Sequence, residues 1–368
     1  VGDYGQLGYE QSAQQMPREI ESLRGSDVVQ AAGGMRHSLF LTASGAVYAV
    51  GHGGQGQLGQ GDRTGHSTPV PVAADWMATD KPVAVAASGN QSFIVTVSGA
   101  VYGFGSNVDG MLGIGPYDDD NFGAPITTPA PVLLPAPALA VSASESFTLF
   151  LTADGEVYTA GTNPQGAAGR GEDTNAQYVP VKVPFPDGVK VKAMSAGNTH
   201  SLFLTEDGQV YACGSGDYGE IGQVADWIGV PTRIDGLAKT PIAVSAGGSF
   251  SLVLNSDGSV YAFGRSNEGQ LPLDGTAILA PTLVPAEALG GERAVQISAG
   301  RFVSLFVTET GRVLSFGRYA HSGRSADSAD ITPSGVTISG AYAFYQTAFL
   351  ITSGTTGVSA PFPPSNVE

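Results

Sequence analysis

Apolar runs of strand length, each closed by polar or glycine turn residues, recur along the chain, and no long stretch holds the 3.6-residue period of a helix. Ser38–Gly51 reads SLFLTASGAVYAVG, and the pattern returns at Ser92–Gly105, Thr148–Gly161, Ser201–Gly214, Ser251–Gly264 and Ser304–Gly317. A degenerate copy, TAFLITSG, spans Thr347–Gly354. In each complete copy an apolar strand meets a Ser/Asp/Thr-Gly pair, a tight-turn signature because glycine reaches φ > 0 without steric cost. A return strand that opens on Val follows. The first glycine falls at Gly45, Gly99, Gly155, Gly208, Gly258 and Gly311. The second always comes six residues later, at Gly51, Gly105, Gly161, Gly214, Gly264 and Gly317, whereas successive copies lie 50–56 residues apart. A fixed inner spacing with a variable outer one is what a hairpin joined by tolerant loops produces.

Small residues lead into the copies, as in SAG at Ser195–Gly197, Ser245–Gly247 and Ser298–Gly300. A Gly-rich turn carrying Leu7-Gly8, Leu58-Gly59, Leu112-Gly113 or Ile221-Gly222 comes after, and then a Pro-containing segment such as Thr68-Pro69-Val70-Pro71-Val72. Four short strands per repeat describe the blade of a β-propeller. The expected fold is therefore all-β, a seven-bladed propeller with one blade completed by both termini. Val1–Gly8 reads as an outer half and Ile338–Gly354 as an inner half, and sharing a blade removes an exposed strand edge. The expected repeats run roughly 31–83, 84–140, 141–192, 193–242, 243–296 and 297–337, with 338–357 joining 1–30, in one domain over 1–357; residues 358–368 form a Pro-rich tail. The strand still missing from the shared blade is expected from Thr355–Ala360 or from residues upstream of Val1.

Composition narrows the function. The 52 Gly and 23 Pro suit a turn-rich chain, and only 14 % of residues are charged. No apolar run reaches the roughly 18 residues that cross a bilayer. One cysteine, Cys213, excludes an internal disulfide framework and a multi-cysteine zinc site, and is expected as a buried core thiol. A net charge of −16 opposes the clustered Lys/Arg that nucleic-acid binding needs, so direct binding of nucleic acid is not expected. The expected partner is another protein, with a basic surface steered by the acidic field. The chain starts at Val1 without a Met or signal segment, so a processed form or a fragment is expected; an intracellular location is expected, with cytoplasmic, nuclear, ciliary and organellar compartments not distinguished.

Motifs with chemical meaning are few. Gly51–Gly56 and Gly214–Gly219 match G-x-G-x-x-G, but a dinucleotide site needs that motif to open a helix, and here a turn follows in register with the repeat. Asp118-Asp119-Asp120-Asn121 lacks the ligand alternation of a calcium loop and reads as a solvated loop. Asn90-Gln91-Ser92 fits a glycosylation acceptor at the start of an inner strand. Five histidines and one cysteine, dispersed along the chain, supply no zinc-ligand spacing. No metal or cofactor is expected.

With these repeats, and with GDYGQLG and DVVQAAGGMRHS (Asp27–Ser38) near its start, the chain resembles the RCC1 family, named for the regulator of chromosome condensation. The resemblance covers essentially residues 1–354 in the same split-blade register. It implies a propeller fold strongly; members serve as exchange factors, ubiquitin-ligase modules, organellar proteins and light sensors. The family's exchange factor for the GTPase Ran acts with acidic residues and a histidine on one face, helped by a wedge insertion. Asp3 matches an acidic position, and Asp109 lies near a second. The histidine position, read round the repeats, holds His37, Gln91, Phe147, His200, Phe250, Val303 and Gln346. The blade in which the exchange factor carries its histidine has Phe250, and Gly115–Pro137 has no counterpart of the wedge. The expectation is a non-enzymatic protein-binding scaffold or adaptor with no catalytic residue; the alternative is a guanine-nucleotide exchange factor for a Ran-type small GTPase. The candidate partner-binding face comprises Asp3, Tyr4, Asp109, Asp217, Tyr218, Glu268, His37 and His200.

Overall fold

A computed structural model describes residues 4–8, 17–72, 75–116, 124–317, 329–344 and 348–353. The chain divides into two compact units: Val1–Gln14 with Arg18–Asn163 and Thr174–Val183, and Gln15–Pro17 with Pro164–Asp173 and Pro184–Glu368. The strands of blades 1 to 3, which span 28–71, 82–131 and 138–182, belong to the first, whereas the blade 3 turn 164–173 belongs to the second. Blades 4 to 6, spanning 191–233, 241–283 and 294–330, belong to the second. Every described blade is a four-stranded antiparallel meander. In blade 1 the strands are β1 (Val28–Gly33), β2 (His37–Thr42), β3 (Val47–Gly51) and β4 (His66–Pro71), paired in that order.

The fold is an all-β propeller, but the described residues hold six four-stranded blades where seven were expected. The last sheet has two strands only, Thr337–Ala343 and Ala348–Ser353. Residues 4–8 form a Gly-rich turn, as their counterparts 218–222 do in blade 4, so this motif supplies a turn and not a further strand of the shared blade. Thr355–Ala360, one source expected for the missing strand, lies outside the described residues, as do residues 1–3 and 9–16 of the expected shared blade. Segment 4–8 nevertheless sits on blade 1 as a Gly-rich turn sits on its neighbour elsewhere. A methyl at Gly5 would fall 2.6 Å from Ser67 Cα, as one at Gly56 would fall 2.9 Å from Thr127 Cα. The innermost strands also begin one to three residues before the expected repeat boundaries. A bulge near each start, as between Val28 and Gln30 opposite Thr42 and Leu41, breaks the pattern there.

The second glycine of each hairpin shows why its spacing is invariant. Gly51 has φ 113°, and a methyl on it would lie 2.4 Å from the carbonyl oxygen of Arg36. Gly105, Gly161, Gly214, Gly264 and Gly317 meet the carbonyls of Asn90, Ser146, Thr199, Ser249 and Phe302 in the same way. Only glycine fits both the conformation and the space. The central strand of every blade is buried along its whole length. Its side chains can reach a neighbouring blade, as where Phe93 of blade 2 meets Phe150 of blade 3 edge-on at 6.0 Å.

A polar latch accompanies this apolar packing. Ser38, Ser92, Ser201, Ser251 and Ser304, second in their strands, donate through Oγ to the backbone oxygens of Gln6, Gln57, Ala167, Glu220 and Gln270 at 2.9, 2.8, 2.7, 2.7 and 2.6 Å. Each acceptor stands just before the Leu-Gly element of the preceding turn, or its counterpart. Blade 3 departs from the pattern: its buried Thr148 Oγ1 has no partner among the described residues. Ser251→Ala strands a buried carbonyl and is expected to cost about 1–3 kcal/mol in chemical denaturation. Thr148→Val removes a hydroxyl that bonds nothing and is expected to change stability by less than about 0.5 kcal/mol or to raise it.

Candidate partner-binding end of the blades

In an antiparallel meander, successive connections alternate between the two ends of the sheet. One end of each blade therefore carries the β2–β3 type of hairpin. The other carries the short loop before the central strand and the long Gly-rich turn after the return strand. Tyr4, Asp109, Asp217, Tyr218 and Glu268 all lie in turns of this long-loop end.

Asp109 is exposed, with φ 64°. Asp217 and Tyr218 are exposed and Glu268 is half-buried. Asp3 lies outside the described residues. Four of the Gly-rich turns, that of Asp109 not among them, are held by a device that sequence reading missed: the residue two positions on folds its side chain back onto the turn. The backbone N–H groups of Tyr4, Gln55 and Glu268 donate to Oε1 of Gln6, Gln57 and Gln270 at 3.0, 2.8 and 2.9 Å. In blade 4 a glutamate does this work, Tyr218 N–H donating to Glu220 Oε2 at 2.9 Å.

His37 and His200 depart from expectation. Both are 0 % exposed, so neither is presented to a partner. Their Nε2 atoms lie 2.8 Å from Ser92 Oγ and Ser251 Oγ in the next blade. Each of those hydroxyls spends its proton on a carbonyl, so the histidine donates, which assigns the Nε2–H tautomer. Burial pushes both imidazoles down to about 3, so they are neutral near pH 7. The position sits on the inner side of the central strand, where packing and not recognition selects the residue. Phe250, at the matching place in blade 5, is likewise 0 % exposed. Cys213 is buried, its thiol pushed up by desolvation and its Sγ 3.5 Å from Ala167 O. Asn90, the candidate glycosylation acceptor, is half-buried and accepts from Gln57 Nε2 at 3.2 Å. Asp118–Asn121 lies outside the described residues.

The two ends differ in how their cations are used. At the hairpin end Lys182 pairs with Glu156 at 2.6 Å, Lys239 with Asp257 at 2.6 Å, and Arg312 with Glu292 and Asp330 at 3.2 and 2.9 Å. At the long-loop end arginines stack on exposed tyrosines instead. The Arg36 guanidinium lies 4.6 Å from the Tyr4 ring centroid, and His52 meets the same ring edge-on at 5.5 Å. Arg265 lies 5.3 Å from the Tyr218 ring. The arginines were not foreseen from sequence, because each comes from the blade after the tyrosine it covers. Among the described residues no group of three His, Cys, Asp or Glu side chains could hold a metal ion. No helix among them is long and apolar enough to cross a membrane.

A family model described as the RCC1-like domain matches residues 1–355. The chain is similar to the mitochondrial RCC1 domain-containing protein RUG3 of Arabidopsis thaliana, 35% identical over 246 residues, 66% of this chain and 54% of that one. It is similar to the ultraviolet-B receptor UVR8 of the same plant, 33% identical over 219 residues, 59% and 48% of the two chains. It thus spans about half the length of these relatives. Among solved structures, Prp20p of Saccharomyces cerevisiae superposes with a TM-score of 0.80 at 21% identity, covering 96% of this chain and 91% of the other. That likeness is one of fold.

Glu220 gives this end a pH signature. Burial holds its carboxyl above the ordinary 4.5, against its hydrogen bonds, which lower it. The folded protein then binds that proton more tightly than the unfolded chain does. This contribution to stability grows as pH falls through the raised value and is lost as pH rises through it. Glu220→Gln restores the amide found at positions 6, 57 and 270. In thermal unfolding it is expected to be more stable than wild type at pH 7, with the difference closing below about pH 4.5.

Proposed function

The chain belongs to the RCC1-like domain family, and on that footing we propose that it is a non-enzymatic protein-binding propeller that engages its partner at the long-loop ends of its blades. The observation that carries this reading is the pair of exposed tyrosines held under arginines, Tyr4 beneath Arg36 and Tyr218 beneath Arg265. Tyrosine and arginine dominate binding hot spots because they combine large contact area with a polar tip. Stacking fixes both side chains before a partner arrives and lowers the entropy lost on binding. The exposed carboxylates Asp109 and Asp217, with a net charge of −16, favour a partner with a basic surface and speed the encounter. A scaffold or adaptor role needs no reacting group. Histidines sealed between blades fit that role better than they fit exchange chemistry.

The test has two arms. With a partner recovered from the source organism and measured as a purified pair, Tyr218→Ala or Tyr4→Ala is expected to weaken affinity about thirtyfold, the ~2 kcal/mol of a hot-spot residue, with melting unchanged. Two variants that both bind with wild-type affinity would sink the reading. In the second arm, labelled GDP is expected to leave a Ran-type GTPase at its intrinsic rate when the propeller is added in catalytic amount. Faster release would instead establish the exchange-factor alternative.

A further inference from the structure

Three large aromatic side chains are exposed among the described residues: Tyr4 at 43%, Tyr218 at 38% and Trp227 at 40%. The two tyrosines already lie under arginines. No cation of the described residues lies over Trp227, although indole offers the best π face of any side chain.

Trp227 stands on an outer hairpin that is longest in blade 4, blade 5 sharing one of its extra rungs in Arg265 with Ala277. The outer strand Ala225–Arg233 has 9 residues and its neighbour Val210–Gly216 has 7, where β4 and β3 of blade 1 have 6 and 5. The extra rungs pair Ser215 with Trp227 and Gly216 with Ala225. The connecting turn is correspondingly short, residues 217–224 against 52–65 in blade 1. The outer hairpin of blade 4 therefore projects further toward the long-loop end and carries the indole there. The ring rests against glycine. A methyl group at Gly166 would lie 2.9 Å from its Cε3, and one at Gly229 would lie 2.7 Å from its Cζ3. Gly171 N–H donates to Gly229 O at 2.7 Å and holds the supporting segment in place. Val224, just before the strand and 62% exposed, and Val230, within it and 41% exposed, add apolar surface to the same hairpin. Exposed carboxylates stand on the adjoining segments: Asp226 precedes Trp227 in the chain, Glu172 follows Gly171, and Asp217 lies in the closing turn.

We propose that this hairpin is a docking site for an extended basic segment of a partner protein, with a Lys or Arg side chain seated on the open face of Trp227. The occupant follows from charge complementarity. An exposed indole with Asp226, Glu172 and Asp217 on the adjoining segments suits a cation, whose aliphatic stem can lie along apolar side chains while its head meets the ring. The chain itself uses the same chemistry twice, at Tyr4 and Tyr218, with arginines of its own. The proposal rests on the protein-binding reading and assigns it a partner chemistry and a blade.

The full chain, with Trp76→Phe so that indole emission reports Trp227 alone, is titrated at low salt with a twelve-residue Lys/Ser peptide and with its Glu/Ser counterpart. The lysine peptide is expected to bind and shift the emission; the glutamate peptide is expected to do neither. By calorimetry, Trp227→Leu, which keeps an apolar cover over the glycines, is expected to bind the lysine peptide roughly tenfold more weakly with unchanged melting. Asp226→Lys with Glu172→Lys is expected to lose more than tenfold. Attraction of a polycation to the overall negative charge would be indifferent to Trp227→Leu, so binding of that variant at wild-type strength overturns the site. A wild-type dimer in sedimentation that Trp227→Leu abolishes also overturns it, since a second copy would then cover the indole. Either result leaves the tyrosine variants as the separate measure of the protein-binding reading.

Discussion

A hydroxyl at the second position of the central strand, donated into the carbonyl ahead of the preceding Leu-Gly element, is the contact around which the blades are organised. A blade is a flat meander with two apolar faces, and apolar packing alone would let neighbouring sheets slide. The serine hydroxyl sets their register, because a buried carbonyl left without a donor costs more than the bond itself is worth. At His37 and His200 the latch is extended by one link, from imidazole to serine to carbonyl. The glycines follow from the same constraint. Gly34, Gly197, Gly247 and Gly300 stand where the backbone of the next blade passes, with room for hydrogen only; a methyl at Gly300 would lie 2.1 Å from Phe344 O.

This arrangement divides labour between the two ends of each blade. At the hairpin end, short turns are closed by their own threonine or serine, as where Ala46 N–H donates to Thr42 Oγ1 at 3.0 Å, and Lys182, Lys239 and Arg312 are taken up in ion pairs. At the long-loop end the backbone is anchored by the latch and by the folded-back Gln or Glu side chains. The tips of the turns are thereby freed from any structural duty. Residues such as Tyr4, Asp217 and Tyr218 can then vary with the partner while the scaffold stays rigid, which is the general condition for recognition by loops.

Blade 4 shows how much latitude the scaffold allows. Its turn replaces the usual glutamine with Glu220, its outer hairpin is longer, and its surface carries Trp227. These departures occur together in one blade. A buried carboxylate that destabilises the fold above its raised proton affinity is a local conflict of the kind that natural chains tolerate mainly where function requires it.

Much of the architecture was legible in the residues. The hairpin spacing, the all-β class and the propeller follow from a repeat whose glycines are fixed by backbone conformation, a local property that sequence records directly. The blade count was less so: Val1–Gly8 matches the repeat in its letters and residues 4–8 form the turn those letters encode, as 218–222 do, but a turn motif does not specify the strand pairing that completes a blade. Candidate recognition residues divided in the same way. Asp109, Asp217 and Tyr218 sit in exposed turns, as turn residues do. His37 and His200 looked like face residues from their place beside the Ser of each strand, but that place faces the next blade, and only packing reveals it. Arg36 over Tyr4, Arg265 over Tyr218 and the open indole of Trp227 were invisible for a related reason. Each depends on which segments, distant along the chain, the antiparallel meander and the stacking of blades bring to the same end.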